Sequence, residues 1–177
     1  MAIDVKHIIV DTMFELSREK PLAKVSILDI SNRSGISRQT FYNYFKDKND
    51  LIRWIFISTL DRWDLVEKEG YYFYLRDLYC KAQENSQFLR QACMLSGQNS
   101  LGEEIQGITY RYHRHHILTQ ITEDHLTDGI EYALRFNAYG STNCYIRWLV
   151  DKTPIPPEAV AIYAYESMPK SIRPYFK

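Results

Sequence analysis

The chain has 177 residues, and its 22 lysines and arginines are balanced by 22 aspartates and glutamates, so that the formal net charge is zero. A chain of this length can bury a hydrophobic core without disulfides or metal ions. Zero net charge excludes a global positive field that would attract nucleic acid, so any contact with DNA must come from a local basic patch.

The cysteines and the N-terminal segment bear on the cellular compartment. Cys80, Cys93 and Cys144 are an odd number without a CxxC pair, which favours reduced thiols over a secreted disulfide scaffold. Asp4 and Asp11 make the start unlike a signal peptide, and no later apolar run is long enough to cross a bilayer. We therefore expect a cytoplasmic protein without membrane contact, metal or cofactor.

Glycines and prolines are few and lie between the periodic segments, which predicts an all-α chain. Apolar residues at helical spacing predict a first helix that ends before Pro21. Two short helices around Gly35 and a long helix over about residues 48–68 follow. The remaining predicted helical segments are about 71–95, 102–126 and 128–151, with breaks near residues 97–102 and near Gly129, a proline stop from Thr153, and a short last helix from Pro157.

Residues 26–45 combine the local signals of a helix-turn-helix. Ser26, with Asp29 three residues later, is typical of a capping box at the start of a short helix. Gly35 can end that helix in the left-handed conformation, and Ser37 can cap a second helix. Two short helices joined by a tight glycine turn form the geometry that places the second helix in the major groove.

The second of these helices has distinct inner and outer faces. Phe41 and Phe45, four residues apart, supply the buried side. The outward positions are polar or aromatic, and they are Arg38, Gln39, Thr40, Tyr42, Asn43 and Tyr44. Arginine, glutamine and asparagine can make bidentate hydrogen bonds to guanine or adenine edges. This face is therefore the predicted reading surface.

A local positive charge surrounds the predicted reading surface. The ionisable residues of positions 31–48 are four basic and one acidic, a balance of +3, and they are Arg33, Arg38, Lys46, Lys48 and Asp47. Such a patch neutralises phosphates and fixes the register of the protein on the duplex without reading its sequence.

Three motifs, Ser-Gly-Ile-Ser at 34–37, Phe-Tyr-Asn-Tyr-Phe at 41–45 and Lys-Asn-Asp-Leu at 48–51, resemble the TetR-like regulators of bacteria. The resemblance covers about residues 5–68. It implies that Arg38, Gln39 and Asn43 face base edges. The residues that it places on the DNA backbone are Ser37, Thr40, Tyr42, Tyr44 and Lys48, and Ser26 and Lys46 complete the expected DNA-contacting set.

The resemblance also implies a division of the chain. Residues 1–48 would form a three-helix DNA-binding domain and residues 49–177 a helical effector and dimerisation domain. Residues 139–149 resemble the family's penultimate helix, which contributes to a dimer interface. The overall pattern resembles the branch that includes activators of dihydroxyacetone kinase operons, in which a kinase-like protein can be the co-regulator. The implied partners are double-stranded DNA, a second copy, and a small-molecule or protein co-regulator.

The aromatic residues Trp54, Trp63, Phe73 and Tyr79 have two interpretations. They can line a pocket for an apolar effector, or they can belong to the helical core. The core is favoured, because aromatic residues at helical spacing need no ligand.

The histidine-rich stretch at 110–116 also has two interpretations. His113 and His116 can lie on one helical face and bind a metal if His125 approaches through folding. Without an evident third ligand, a solvated basic face or a surface for an acidic partner protein is favoured.

The sequence shows no arrangement of catalytic side chains, P-loop or dinucleotide fingerprint, so we do not expect an enzyme. The predicted function is a sequence-specific, homodimeric transcriptional regulator that binds a palindromic operator and is controlled through its C-terminal domain. The alternative is an adaptor whose main partner is a protein, such as a dihydroxyacetone-kinase-like protein, and whose DNA binding is secondary.

Overall fold

The computed structural model describes residues 4–60, 63–95, 101–151 and 155–177, and these residues form ten α-helices. In chain order they are α1 (Val5–Glu19), α2 (Ile27–Ser34), α3 (Arg38–Tyr42), α4 (Lys48–Leu60), α5 (Asp64–Glu69), α6 (Tyr71–Glu84), α7 (Ser86–Met94), α8 (Leu101–Leu118), α9 (Asp128–Val150) and α10 (Pro157–Glu166). Short 3-10 helices occur at Leu22–Lys24, Glu123–His125 and Arg173–Tyr175. Those four ranges contain no strand, and the predicted all-α fold class is confirmed.

Two predicted segments are divided differently in the structure. The stretch over 48–68 is described as α4 and α5, with residues 61 and 62 outside the described part. The predicted segment 71–95 is two helices, because Asn85 leaves the helical conformation at φ −104° and ψ 18°. Its side-chain amide donates to the carbonyl of Lys81 at 3.1 Å, a local bond of the kind that competes with helix continuation.

The other predicted breaks are only partly within the described residues. The break near 97–102 falls mostly on residues 96–100, and Thr153 and Pro154 also lie outside the described part. The helix predicted over 102–126 is α8, which begins at Leu101 and ends already at Leu118. The last helix begins at Pro157, as predicted.

Helices α1 to α3 pack around a small apolar core, and we call this part of the chain the head. Ile9 and Met13 of α1 meet Ile30 of α2 and Phe41 of α3, and all four side chains are fully buried. Leu51, in the first turn of α4, belongs to the same hydrophobic cluster and is equally buried. Helix α3 is too short to be stable alone. Its packing against α1, α2 and the first turn of α4 fixes its position.

The larger part of the fold is formed by α4 to α10. Helix α6 packs mainly against α10, α8 packs against α9, and α7 lies against both α9 and α1. The interior is apolar and aromatic, with the fully buried side chains of Phe56, Ile117 and Leu134 among its members.

The four aromatic residues singled out in the sequence have different positions. Trp63 and Tyr79 line a cavity of about 50 Å³ between α6, α8 and α9. Trp54 is half-buried and packs edge-on against Phe45, with ring centroids 6.0 Å apart. Phe73 is exposed on α6. Neither sequence interpretation therefore applies to all four residues.

The interpretation of residues 110–116 as a solvated basic face is wrong for His113, which is 1% exposed. Its Nε2 lies 2.8 Å from the Tyr71 hydroxyl and its Nδ1 lies 3.2 Å from the Asn137 side-chain amide. Burial lowers the pKa of His113 to about 3, so the imidazole is neutral at physiological pH. Arg114 is also engaged, because its Nε donates to Glu131 at 2.7 Å.

His116 does not share a site with His113. Its Nε2 lies 3.0 Å from the backbone oxygen of Tyr175, which ties α8 to the C-terminal segment. The described ranges contain no group of three or more histidine, cysteine or acidic side chains placed to hold a metal ion. In the same ranges, no helix is both long enough and apolar enough to cross a membrane.

Candidate nucleic-acid interface

Helix α2 begins and ends as the sequence predicts. The Ser26 hydroxyl accepts the Asp29 backbone N–H at 3.1 Å, and Asp29 accepts the Ser26 backbone N–H at 2.7 Å, which completes the capping box. Bonds from Lys20 and Ser26 hold the pKa of Asp29 far below its usual range. Gly35 ends the helix at φ +73°, where L residues other than asparagine are unfavourable.

Helix α3 is anchored by one cap and two aromatic rings. The Ser37 hydroxyl accepts the Thr40 backbone N–H at 3.0 Å, which confirms the predicted cap. Phe41 and Phe45 are buried, with ring centroids 5.8 Å apart. These contacts leave the opposite side of the helix free of packing.

The predicted reading residues lie together on this unpacked side. Arg38, Gln39 and Asn43 are all exposed, and the Gln39 amide lies 3.4 Å from Asn43 Oδ1. Tyr42 and Tyr44 flank them with about half of their surface accessible. Their side chains thus present guanidinium, amide and phenol groups on one surface, the chemistry needed to contact base edges and phosphates.

The side chains of two residues expected to contact DNA already form hydrogen bonds within the protein. The Thr40 hydroxyl is 2.8 Å from the Ser37 hydroxyl, and Thr40 is half-buried. Lys48 donates from Nζ to the carbonyls of Leu22 and Ala23, at 2.9 and 3.0 Å. Burial lowers the pKa of Lys48. An ammonium has three N–H donors, so one remains for a phosphate.

The structure pairs one of the four basic residues in the count of +3 with carboxylates of α1, which lie outside residues 31–48. Arg33 donates from both terminal nitrogens to Glu19 at 2.8 Å, and its Nη1 lies 3.5 Å from Glu15. Arg33 is therefore neutralised within the head. The exposed Lys46 and Arg38 remain available beside the third donor of Lys48.

Lys24 is a further exposed basic residue near α2 that the sequence-based set did not include. It is exposed at the end of the 3-10 helix, two residues before the cap of α2. A basic residue just ahead of a predicted helix start was the signal that could have identified it, because backbone amides and lysines at such an end both favour phosphate.

Comparison with known proteins assigns both parts of the chain. The family described as bacterial regulatory proteins, tetR family, matches residues 9–55, and the family described as transcriptional regulator C-terminal region matches residues 71–169. The chain belongs to the TetR family. This TetR-family protein is accordingly a DNA-binding transcriptional regulator and not an enzyme.

Individual relatives support the same assignment. Over 55 residues this TetR-family regulator is 36% identical to the HTH-type dhaKLM operon transcriptional activator DhaS of Lactococcus lactis subsp. lactis (strain IL1403). That match covers 31% of this chain and only 29% of the relative.

Solved structures extend the likeness of fold to nearly the whole chain. A dihydroxyacetone kinase operon activator DhaS superposes with a TM-score of 0.74 at 20% identity, over 99% of this chain and 100% of that one. A TetR transcriptional regulator from Rhodococcus sp. RHA1 superposes with a TM-score of 0.58 at 20% identity, over 93% and 96% of the two chains. At such identities the two structures show a shared fold.

Proposed function

We propose that this TetR-family regulator is a homodimer that reads a palindromic operator with the exposed face of α3. The observation that carries the proposal is the division of α3 and the three residues that follow it into two sides. Phe41 and Phe45 are buried, while Arg38, Gln39 and Asn43 are exposed together. A short helix held this way can enter a major groove without losing its own packing.

We propose the following roles for the DNA-contacting residues. Arg38, Gln39 and Asn43 contact base edges. The remaining members contact the sugar–phosphate backbone, and they are Ser26, Ser37, Thr40, Tyr42, Tyr44, Lys46 and Lys48. We also place the boundary between the DNA-binding and regulatory domains at residues 48 and 49, so that α4 joins the two.

The proposed dimer interface lies on α9 and α10. Tyr132, Phe136 and Tyr139 are spaced by four and three residues and form an exposed aromatic stripe on α9, with Tyr132 73% accessible. Ile162 and Tyr163 are exposed on α10. Exposed aromatic side chains aligned on one helix face favour a protein interface. A second copy related by a twofold axis would place two α3 helices in successive major grooves, about 34 Å apart.

The proposed co-regulator would act either at a cavity of the helical domain or from outside that domain. Thr142 and Tyr145 also line the cavity of Trp63 and Tyr79, and their hydroxyls are buried without a hydrogen-bond partner among the described residues. Its volume of about 50 Å³ accommodates a few water molecules. A metabolite of ordinary size would require the helices to separate, whereas a protein co-regulator would act from outside.

The small cavity is the observation that favours the second candidate function, a protein-binding adaptor. The relatives named DhaS make a dihydroxyacetone kinase operon the first place to search for both operator and partner. The full chain, immobilised and exposed to cell extract, recovers a stoichiometric protein if the adaptor function dominates. Recovery of operator DNA alone would count against it.

The first test of operator binding is selection from random duplex DNA at moderate salt. The expected result is a palindromic motif whose half-sites are separated by about one helical turn. Arg38→Ala is expected to degrade the motif, while Arg76→Ala, which removes an exposed arginine of α6, leaves it intact. A motif unchanged by Arg38→Ala would refute the assignment of the reading face.

The oligomeric state is tested separately by light scattering at micromolar concentration. We expect twice the 21.0 kDa mass of the chain. Phe136→Glu should yield the monomer, since it places a charge within the aromatic stripe. Phe73→Glu, which changes an exposed phenylalanine of α6, is the matched control. A wild-type monomer would eliminate the dimeric mechanism.

A further inference from the structure

Helix α7 is hydrogen-bonded to the head through two glutamines. Gln91 Oε1 accepts the backbone N–H of Leu22 at 2.7 Å, and its Nε2 donates to the carbonyl of Ser17 at 3.1 Å. Gln87 Nε2 donates to the same carbonyl at 3.1 Å. A primary amide offers a donor and an acceptor at once, so Gln91 can bind both backbone groups.

The glutamines bind backbone groups that lie at helix ends and therefore have no hydrogen-bond partner within a helix. The Ser17 carbonyl is in the last turn of α1, and the Leu22 N–H is at the start of the 3-10 helix. Both residues are buried, at 2% and 1% exposure. Loss of the glutamine amides would therefore leave buried polar groups unsatisfied. The hydrogen bonds thus stabilise the contact between α7 and the head and also fix its geometry.

The same series of hydrogen bonds extends to α4. The carbonyl of Leu22 accepts from Lys48 Nζ at 2.9 Å. Leu22 is thus held at its N–H by α7 and at its carbonyl by the first residue of α4. Phe88 of α7 adds an apolar contact, with its ring centroid 4.9 Å from that of Phe14 in α1.

Helix α7 is also bonded to the end of α9. Arg90 Nε donates to the carbonyl of Leu149 at 2.8 Å, in the last turn of α9. Helix α9 carries the aromatic stripe of the proposed dimer interface. A nine-residue helix therefore contacts both the DNA-reading head and the helix that would meet the second copy.

We propose that Gln87 and Gln91 are positioning residues for operator binding, and that α7 couples the orientation of the head to α9 through them and Arg90. The inference rests on the proposed operator-binding dimer. The head is covalently connected to the rest of the chain through α4. The glutamines of α7 add a second, noncovalent connection, which binds the C-terminal end of α1. Two connections fix the orientation of a head, whereas one connection leaves it free to pivot.

Coupling between sites is reciprocal, so the test needs no effector. Operator DNA should slow amide hydrogen exchange in the head and also in α7 and at the C-terminal end of α9. The measurement is hydrogen exchange by mass spectrometry on the full chain, with and without the duplex obtained by selection. Peptides covering residues 20–25, 86–94 and 145–150 report the three regions.

Each variant interrupts the connection at a different place. In Gln91→Met the operator should slow exchange in the head alone, and operator affinity should fall about tenfold. In Arg90→Met the slowing should reach α7 but not the end of α9. Gln83→Met, an exposed glutamine changed in the same way on α6, should behave as the wild type.

The proposal is overturned if the operator slows exchange only in the head of the wild type, or if Gln91→Met retains the response at α9. If Gln91→Met does not fold, Arg90→Met decides alone, because it leaves the head untouched. Failure of the proposed function has another signature, since no duplex would then slow exchange in α3 at all.

Discussion

Replacement of His113 by glutamine should remove a defined part of the pH dependence of stability. The imidazole has a pKa of about 3 in the folded protein because it is fully buried, against about 6.5 in an unfolded chain. As the pH falls below 6.5 the unfolded chain takes up a proton that the folded protein does not. The contribution of His113 to the free energy of unfolding is therefore complete at neutral pH and is lost as the pH falls through 6.5.

The magnitude follows from the two pKa values. Between pH 7.5 and 5.5 the free energy of unfolding should fall by about 1.4 kcal/mol from this histidine alone. Glutamine can keep a donor and an acceptor near Tyr71 and Asn137 but does not titrate. His113→Gln lowers stability at neutral pH, yet it should lose less on acidification than the wild type does.

Urea unfolding at pH 7.5 and 5.5 measures the difference. The quantity to compare is the change in free energy of unfolding between the two pH values, in the wild type and in the variant. His115→Gln, which changes an exposed histidine two residues later, is the control and should follow the wild type. An equal loss on acidification in wild type and His113→Gln would refute the argument.

Three further substitutions test the head. Lys48→Ala should weaken binding to every duplex similarly and reduce the slope of log affinity against log salt by about one, measured by fluorescence anisotropy; a selective loss at one base pair would contradict a phosphate contact. Arg38→Ala should cost about 1–3 kcal/mol on the selected operator and relax one base position, and a uniform loss would contradict base reading. Phe41→Ala should lower the free energy of unfolding by about 3–5 kcal/mol in urea, and a loss below 1 kcal/mol would contradict its burial.

The features that the sequence predicted are those determined by near neighbours. The capping box of Ser26 and Asp29 joins residues three positions apart, and Gly35 and Ser37 act on the backbone next to them. Such signals can be found without knowledge of the fold. The burial of Phe41 and Phe45 was equally predictable, because a short helix has only one face to bury.

The features that the sequence did not predict depend on contacts distant along the chain. Arg33 has a carboxylate partner in α1, 14 residues earlier. His113 is buried by Tyr71 and Asn137, which belong to other helices. Gln91 finds its partners about 70 positions away. Counting the charged residues or histidines in a short stretch of sequence does not reveal partners that lie so far along the chain.

The two-sided construction of α3 has a consequence for the divergence of operators. Arg38, Gln39 and Asn43 take no part in the buried core, whereas Phe41 and Phe45 hold the helix in place. If these three residues read the operator as proposed, sequence recognition and the support of the helix depend on different side chains. On the proposed roles, exchange of these three surface residues would change the operator while the buried contacts that stabilise the head stay intact.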